Sequence, residues 1–360
     1  MPASAPEVPD VIPVREDERF DSDLLRGWLK GRVEGAELPL RVEQFGGGHA
    51  NLTYLLRFGE AGGEKQYVLR RPPLGPVAPG SHDMQREYRA LSVLWKAFPV
   101  APRAHAYCDD EAVIGAPFFV MERLDGVVVR GGVVPAVFGA GEDAVANRKL
   151  SEVVIDTLVR FHAVDPAPIG LDGLGRDPAR FLERQVKGWA DRYERSKVEA
   201  IPVAEELVTW LLANLPRSPG PTLVHNDWKL DNMALDPEDP GRCVAVYDWD
   251  MCSIGDPLCD LGTLLALWSD PGEPLAGMNP MPTQKSGFLS RGEAVERYAE
   301  RSGREVSTVS YYDVFGTFKM GVVLQQIYIR FHRGQTQDKR FAALGKGARG
   351  LYDLAAARRR

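Results

Sequence analysis

The sequence contains few residues of the kinds that stabilise small extracellular domains or build metal sites. It has 4 cysteines and 6 histidines in 360 residues. The cysteines form no C-x-x-C pair and show no metal-ligand spacing, which argues against a disulfide framework and against a zinc site. Thiols of this kind are typical of a reducing compartment, so we expect a cytoplasmic protein.

Long apolar runs and basic stretches are also missing. No run of about 18 apolar residues predicts a membrane span. The net charge is −6, and without a basic stripe the sequence does not predict a nucleic-acid partner. The glycine-rich segment at 46–48 lacks G-x-x-x-x-G-K-[ST] and opens no predicted helix, which excludes a P-loop and a Rossmann fingerprint. Nothing in the sequence specifies an oligomeric state.

The composition that remains is that of a globular protein large enough for two lobes. Hydrophobic residues make up 44% and charged residues 26%, and this length can bury a sizeable core. Residues 1–15 are rich in Pro and Ala and lack periodicity, so they predict a mobile N-terminal arm.

Hydrophobic patterns predict a β-rich first lobe over residues 16–124 and a mostly helical second lobe over residues 125–360. A hinge is expected near 121–126. The first lobe has predicted strands at 42–45, 52–57, 66–70 and 118–121 and one helix at 83–98. The second has predicted helices at 146–163, 177–195, 203–214, 258–267, 290–301, 307–332 and 337–357, and one β patch formed by 222–224, 233–235 and 244–247. The fold class is α+β.

The segment His225–Asn232, HNDWKLDN, lies between two predicted strands and carries the strongest chemical signal. Asp248 follows sixteen positions after Asn232, at the end of another apolar strand. Transfer of a phosphoryl group from ATP needs hard oxygen donors for Mg²⁺ and a carboxylate that orients and deprotonates the acceptor hydroxyl. The D-x-x-x-x-N spacing supplies both functions from one short loop.

These motifs resemble the aminoglycoside phosphotransferase family, whose superfamily includes choline kinases and protein kinases. Within it, the sequence is most similar to the branch found fused to, or near, acyl-CoA dehydrogenases. The resemblance covers about Phe45 to Trp268. It implies a protein-kinase-like bilobal fold, ATP as co-substrate, Mg²⁺ as metal ion and a small-molecule hydroxyl as acceptor.

The resemblance also implies roles for individual acidic and amide side chains of the second lobe. Asp227 matches the catalytic base, and Asn232 and Asp248 match the magnesium ligands. Asp250 is expected to approach either a second metal ion or the substrate.

Further residues near the loop match the family with supporting roles. His225 is expected to organise the loop, and Lys229 either steadies the γ-phosphate or is a surface lysine. Asp256 and Asp260 also match, and Asp260 resembles the buried aspartate that binds the catalytic-loop backbone. Trp228 and Trp249, which flank the catalytic residues, either form an apolar wall or pack the loop.

In the first lobe, the resemblance implies a nucleotide site. Gly47 and Gly48 would cover the phosphates, with Asn51 beside them. Arg70 falls where protein kinases have a lysine that binds the α- and β-phosphates, although Arg71 leaves the register open. Glu87 would pair with this cation.

The segment Met121–Leu124 resembles the kinase hinge. Met121 would lie at the back of an adenine pocket or simply pack in the core. Backbone groups of Glu122 and Leu124 would bind the adenine ring.

The expected activity is therefore transfer of the ATP γ-phosphoryl group to a small-molecule hydroxyl. Basic residues between 285 and 333 mildly favour an anionic or acyl acceptor, such as a hydroxyacyl-CoA or hydroxy acid, although solvated helix faces explain them equally well. An aminoglycoside or choline-type kinase is an alternative within the enzymes. A non-catalytic nucleotide-binding regulator on the same fold is the alternative of another class.

Overall fold

The structure is a computed structural model that describes residues 11–46, 51–75, 82–273, 281–336 and 339–359. It divides into two compact units, with the boundary between Leu124 and Asp125. The first unit is built on an antiparallel sheet and the second is mostly helical, so the fold is α+β and protein-kinase-like, as predicted. Gly47, Gly48 and residues 1–10 lie outside the described residues.

The first unit is organised around one sheet. Within the described residues its strands are Val11–Ile12 (β1), Leu40–Phe45 (β2), Leu52–Phe58 (β3), Lys65–Arg71 (β4), Ala104–Cys108 (β5) and Phe118–Glu122 (β6), and its helices are Ser22–Leu29 (α1), Met84–Leu94 (α2) and Glu111–Ile114 (α3). The strand order is β1-β2-β3-β4-β6-β5, and every neighbouring pair is antiparallel. The four strands and the helix predicted here are confirmed, although α2 ends earlier than expected.

Residues 11–15 depart from the predicted mobile arm. Strand β1 pairs with the residues Gln44 and Phe45 of β2. The backbone N–H of Arg15 donates to Gln44 Oε1 at 3.1 Å. This pairing satisfies backbone hydrogen-bonding groups at the edge of the sheet. The stabilisation comes from contact with a distant strand, so the Pro- and Ala-rich composition of the segment does not predict it.

Helix α1 was not predicted from the sequence. Asp21 caps it by accepting the backbone N–H groups of Asp23 and Leu24. Its apolar side packs Leu25 and Leu29 into the core of the first unit, where neither side chain is exposed. With eight residues, the helix is too short for its periodicity to stand out in the sequence.

The second unit consists mainly of helices with two small sheets. Within the described residues its strands are Val127–Val128 (β7), Thr222–Val224 (β8), Met233–Asp236 (β9), Asp239–Val246 (β10) and Ser253–Gly255 (β11). Its α-helices are Ala144–His162 (α4), Phe181–Ser196 (α5), Pro202–Ala213 (α6), Leu258–Ala266 (α7), Arg291–Ser302 (α8), Val309–His332 (α9) and Leu344–Ala357 (α10). The predicted helices are confirmed, except that 337–357 is not one helix: its described part begins with a 3-10 turn, Lys339–Ala343, before α10.

The β patch predicted as one unit is two sheets. Strand β8 pairs with β11, whereas β9 lies between β10 and β7. The prediction was wrong because β7 and β11 are only two and three residues long. Strands that short carry no readable alternation.

Glycines allow α7 and α9 to approach closely. A Cβ atom on Gly262 would overlap the backbone carbonyl of Tyr312, and one on Gly316 would overlap the carbonyl of Gly262. Backbone atoms cannot move aside as a side-chain tip can, so both positions require glycine. This close packing sets α9 directly against α7, which carries Asp260.

The remaining features concern the cysteines and the helix lengths. All four cysteines are buried. In the part of the chain that the structure describes, no helix combines the length and the apolar character needed to cross a membrane.

Candidate active site

The predicted catalytic loop, residues 225–232 (called the catalytic loop below), connects β8 to β9 in the second unit. Asn232 ends a 3-10 turn directly before β9, and Asp248 follows β10. Because β9 and β10 form an antiparallel pair with Met233 opposite Val246, both residues lie at the same end of this pair. The backbone N–H of Tyr247 also donates to the Asn232 carbonyl at 2.8 Å. Pairing of β9 with β10 therefore places Asn232 and Asp248, which are sixteen positions apart in the sequence, at the same end of the hairpin.

Asp227 lies at the centre of a polar cluster. Its Oδ2 accepts hydrogen bonds from Lys229 Nζ at 2.6 Å and from Asn232 Nδ2 at 2.9 Å. Asn232 Nδ2 also donates to the Asp227 backbone carbonyl at 2.8 Å. Burial alone would lower the pKa of Lys229, but the adjacent Asp227 carboxylate outweighs it and the pKa is raised. Lys229 is thus a charged partner of Asp227 and not an isolated surface lysine.

The side chains around Asn232 and Asp248 suit a magnesium ion. The amide nitrogen of Asn232 is used by Asp227, so its Oδ1 is the atom that a cation would bind. The Asp248 carboxylate is a second hard oxygen donor. Among the residues that the structure describes, no three His, Cys, Asp or Glu side chains form a metal-binding group. Mg²⁺ is usually held by one or two carboxylates together with substrate phosphates.

Two non-glycine residues at the site have left-handed backbone conformations. Asn226 has a φ of 68° and Asp248 a φ of 65°. Asn and Asp tolerate this region better than most residues, yet it still costs about 1–3 kcal/mol and persists only where surrounding contacts enforce it. Asp250 follows in a 3-10 turn, Trp249–Met251, where its side chain is partly buried.

Asp260 binds the catalytic loop from behind. Its Oδ2 accepts the backbone N–H of His225 at 2.7 Å, and its Oδ1 accepts the backbone N–H of Asn226 at 2.6 Å. Burial opposes the charge of this carboxylate, but its hydrogen bonds outweigh the penalty and lower its pKa. The predicted backbone contacts of Asp260 are confirmed. Asp256 instead accepts the Leu258 backbone N–H at the start of α7.

His225 uses both ring nitrogens on the backbone. Its Nε2 lies 2.9 Å from the Tyr247 carbonyl, and the backbone N–H of Asp227 donates to its Nδ1 at 3.3 Å. Burial lowers the pKa of His225, so the ring is neutral, with the proton on Nε2. This geometry agrees with an organising role and leaves neither nitrogen for the substrate.

His162, at the end of α4, is a site residue that the sequence analysis missed. Its Nε2 lies 3.1 Å from Asp260 Oδ2, and its Nδ1 lies 2.8 Å from the Tyr298 hydroxyl. Burial lowers the pKa of His162, so it acts as a neutral donor to Asp260. The only sequence signal was a histidine in the last turn of an amphipathic helix, which a surface position would explain equally well.

Trp228 and Trp249 pack the loop and do not line an open surface. Each is 1% exposed. The Trp228 indole N–H donates to the Val154 carbonyl at 3.0 Å, and Trp249 donates to the Val246 carbonyl at 2.7 Å. Phe161 stacks on Trp228 with ring centroids 5.9 Å apart. Of the two alternatives for these tryptophans, the packing role is therefore correct.

In the first unit, Arg70 lies beside Glu87. Arg70 Nε is 3.4 Å from Glu87 Oε1, and both side chains are buried. The Arg71 side chain leaves β4 on the other face, where its Nη1 donates to the Ile114 carbonyl at 2.8 Å. Alternation along the strand thus resolves the register that the sequence left open.

The other predicted nucleotide-binding residues of the first unit occupy three places. Asn51 precedes β3, and its Oδ1 lies 2.7 Å from His82 Nδ1. Met121 is buried in β6. Glu122 ends β6, and its backbone N–H donates to the Arg103 carbonyl at 2.9 Å. Leu124 is the last residue of the unit.

The basic residues between 285 and 333 mostly serve contacts within the second unit. They form ion pairs, Arg291 with Asp313, Arg297 and Arg301 with Asp156, and Lys285 with Glu142. These four charges are therefore compensated within the second unit, and the inference that the basic residues favour an anionic acceptor stays a prediction.

Comparison with known proteins places this site in a family. A sequence model described as "Phosphotransferase enzyme family" matches residues 41–281. Acyl-CoA dehydrogenase family member 10 from Mus musculus is 30% identical over 352 residues, which is 97% of this chain and 32% of that protein. Acyl-CoA dehydrogenase family member 11 from Homo sapiens is 29% identical over 92% of this chain and 42% of that protein. The chain thus spans about a third to two fifths of these relatives.

Solved structures of phosphotransferases also resemble this chain. A Ralstonia eutropha protein assigned to the aminoglycoside phosphotransferases has a TM-score of 0.78 and 29% identity, covering 94% of this chain and 98% of its own. Choline kinase from Cryptosporidium parvum has a TM-score of 0.58 and 12% identity, covering 93% and 98%, which shows a shared fold. This fold, with the catalytic loop and the family match, supports a small-molecule kinase. The chain belongs to the phosphotransferase enzyme family.

Proposed function

We propose that this chain transfers the γ-phosphoryl group of ATP to a hydroxyl group of a small molecule and that it requires Mg²⁺. The observation that carries the proposal is the Asp227 carboxylate, which is held by Lys229 and Asn232 at 2.6 and 2.9 Å. Such a carboxylate is preorganised to orient an acceptor hydroxyl. Solved structures of the same fold include ternary complexes with AMP-PNP or ADP and hygromycin B, which supports a nucleotide as the donor.

Asp227 acts on the acceptor. Since its Oδ2 is bound by Lys229 and Asn232, we assign the acceptor hydroxyl to Oδ1. A bond forms between the acceptor oxygen and the γ-phosphorus, and the bond from that phosphorus to the bridging oxygen of ADP breaks. The acceptor proton passes to Asp227, and ADP leaves with the bridging oxygen.

Cationic groups balance the charge of the transferred group. Lys229, already charged beside Asp227, would contact a γ-phosphate oxygen. Asn232 and Asp248 would hold Mg²⁺, which when bound offsets negative charge on the phosphate oxygens. Asp250 would complete the metal or substrate contacts.

The first unit would bind the rest of the nucleotide. Arg70, oriented by Glu87, would bind the α- and β-phosphates, because a guanidinium can bind phosphate oxygens in a bidentate manner. The glycine-rich segment before β3 would cover the phosphates, and the end of β6 would bind adenine. The residues assigned to these contacts are Gly47, Gly48, Asn51, Met121, Glu122 and Leu124.

For the acceptor we propose a hydroxyacyl thioester or a free hydroxy acid. The support is that the curated relatives are acyl-CoA dehydrogenase family members in which a region like this chain occupies a third to two fifths of the length. A kinase joined to an acyl-processing enzyme would share its substrate class. The compartment we propose is the cytoplasm, a reducing environment that suits four buried cysteines.

The experiment is to measure ADP release with Mg·ATP across hydroxyacyl-CoAs, free hydroxy acids, choline, sugars and aminoglycosides. Asp227→Asn is the test variant. Asp239→Asn, the same change at an exposed ion pair with Lys149, is the matched control. We expect an acyl-type acceptor to drive ADP release in the wild type and the control only.

Other outcomes would change the proposal in defined ways. A response to choline or an aminoglycoside would keep the kinase and reject the acceptor class. Mg·ATP binding without release on any acceptor would favour the non-catalytic regulator. Equal release by wild type and Asp227→Asn would contradict the role of Asp227.

A further inference from the structure

Lys319, in the middle of α9, is buried to an extent that is unusual for lysine. Its exposed fraction is 5%. Lysines are almost never fully buried unless they have a partner, because removing an ammonium group from water is costly. Burial lowers the pKa of Lys319, and the nearby charge of Lys229 acts in the same direction. A group kept at this cost needs a compensating contact.

That contact is the catalytic loop. Lys319 Nζ donates a short hydrogen bond to the backbone carbonyl of Asn226. The nitrogen also lies 5.4 Å from the centre of the Trp189 ring, within cation–π range. Lys319 forms no ion pair with a described residue, but the carboxylates of Asp227 and Asp260 are near enough to favour its charge. Among the described residues, the hydrogen-bond acceptor of Lys319 is thus the residue before Asp227.

The backbone conformation of Asn226 is unfavourable unless surrounding contacts stabilise it. Its φ of 68° is left-handed. Its N–H donates to Asp260 Oδ1 at 2.6 Å, and its side-chain Nδ2 donates to the Met251 carbonyl at 2.9 Å. Lys319 supplies the third contact, on the carbonyl. That carbonyl belongs to the peptide group whose nitrogen is the backbone nitrogen of Asp227.

We propose that Lys319 is a positioning residue that fixes the Asn226–Asp227 peptide group and thereby aims the Asp227 carboxylate at the acceptor. The inference rests on the proposed function of Asp227. Lys319 does not touch the reacting groups itself. It acts from the buried side, through a bond between residues 93 positions apart. Small displacements of a catalytic group can cost about 100-fold in rate.

Three substitutions test the hydrogen-bond donor and the positive charge of Lys319 separately. Lys319→Met keeps an unbranched chain but removes both donor and charge, Lys319→Gln keeps a neutral donor, and Lys319→Arg keeps donor and charge. Arg330→Met, at an exposed position of the same helix, is the control. We expect Lys319→Met to lower kcat by about 10- to 100-fold with KM for Mg·ATP changed less than about threefold. Arg and Gln should recover part of kcat, and the control should match the wild type.

Hydrogen exchange gives a readout that does not depend on activity. The Asp227 amide is bonded to His225 Nδ1 in the wild type. In Lys319→Met this amide should exchange at least about tenfold faster, while the unfolding temperature stays within a few degrees. Unchanged exchange at Asp227, or a kcat within twofold of wild type, would overturn the proposal. A loss of unfolding temperature with kcat per folded molecule unchanged would also overturn it, because the lysine would then serve stability alone.

Two further outcomes remain interpretable. If Lys319→Met does not fold, Lys319→Gln and Lys319→Arg decide: reduced kcat with wild-type unfolding supports the proposal, and wild-type kcat in both rejects it. If the wild type and Asp227→Asn release ADP equally, the proposed role of Asp227 fails, whereas the exchange rate of the Asp227 amide still tests whether Lys319 holds the loop.

Discussion

The two sides of the catalytic loop differ in what their polar groups bind. On the front side, Asp227, Lys229 and Asn232 are partly exposed and bind one another through side chains. On the back side, the fully buried side chains of Asp260 and His225 accept hydrogen bonds from backbone N–H groups of the loop. The front side therefore holds groups that can exchange partners with a substrate, and the back side holds the loop in a conformation that its backbone would not adopt alone.

This difference separates chemistry from stability. A change at the front should alter rate or affinity and leave unfolding almost unchanged. A change at Asp260 or His225 should lower stability and reduce activity only through the geometry of Asp227. Four measurements test this division between chemistry and stability.

The largest effect is expected for Asp227→Asn. Loss of the general base should lower kcat by roughly 10²–10⁴. The unfolding temperature and the calorimetric affinity for Mg·ATP should stay close to wild type, because the side chain keeps its shape. A variant that retains more than half of the wild-type kcat would remove Asp227 from the chemistry.

The next effect is expected for Asp248→Ala, which removes one of the two proposed metal donors. Calorimetry should show that the affinity for Mg·ATP falls by about 100-fold or more, since even indirect ligand partners contribute 10- to 100-fold. Binding of ATP without Mg²⁺ should change far less. An unchanged Mg·ATP affinity would contradict the metal assignment.

At the back of the loop, Asp260→Asn should act on stability. The amide cannot accept from all the N–H groups that Asp260 binds, and an unsatisfied buried donor costs about 1–3 kcal/mol. Urea unfolding should show a loss of this size, together with faster exchange of the His225 and Asn226 amides. Asp239→Asn, at an exposed aspartate, should show neither change; a stable Asp260→Asn variant would mean that the back side does not enforce the loop.

The smallest effect concerns pH. His162 and His225 are neutral in the folded protein because burial lowers the pKa of each, whereas in the unfolded chain histidines bind protons near pH 6.5. The unfolded state therefore binds more protons below this pH, and stability falls as pH falls, by up to about 1.4 kcal/mol per pH unit for each histidine. The lowered pKa of Asp260 adds a loss in more acidic solution, below its unfolded pKa near 4.

Urea unfolding between pH 5 and 7 measures this dependence. His162→Gln should reduce the slope of unfolding free energy against pH by about one proton. His332→Gln, at an exposed position of α9, should not change it. An unchanged slope in His162→Gln would show that His162 is charged in the folded state.

The local sequence determined which residues we propose for the chemistry and most of the helices and strands around them. Asp227 and Asn232 share one short loop, so their spacing is visible in the sequence, and Asp248 follows a recognisable apolar strand. The helices of the second unit have a clear apolar periodicity over several turns. The pairing of β3 with β2 and with β4 is equally local, because these three strands follow one another directly in the chain.

Only the tertiary structure decided how these residues are held. His162 is 98 positions from Asp260, and Lys319 is 93 positions from Asn226. In the sequence, His162 and Lys319 look like ordinary polar residues of a helix. Their neighbours in the sequence do not indicate which distant group compensates for the burial of each side chain. Likewise β1 and β7 become strands through pairing with distant residues. The physical reason is that tertiary packing determines which groups hydrogen-bond to a buried polar side chain. Tertiary packing brings together distant segments, so no short stretch of sequence predicts these partners.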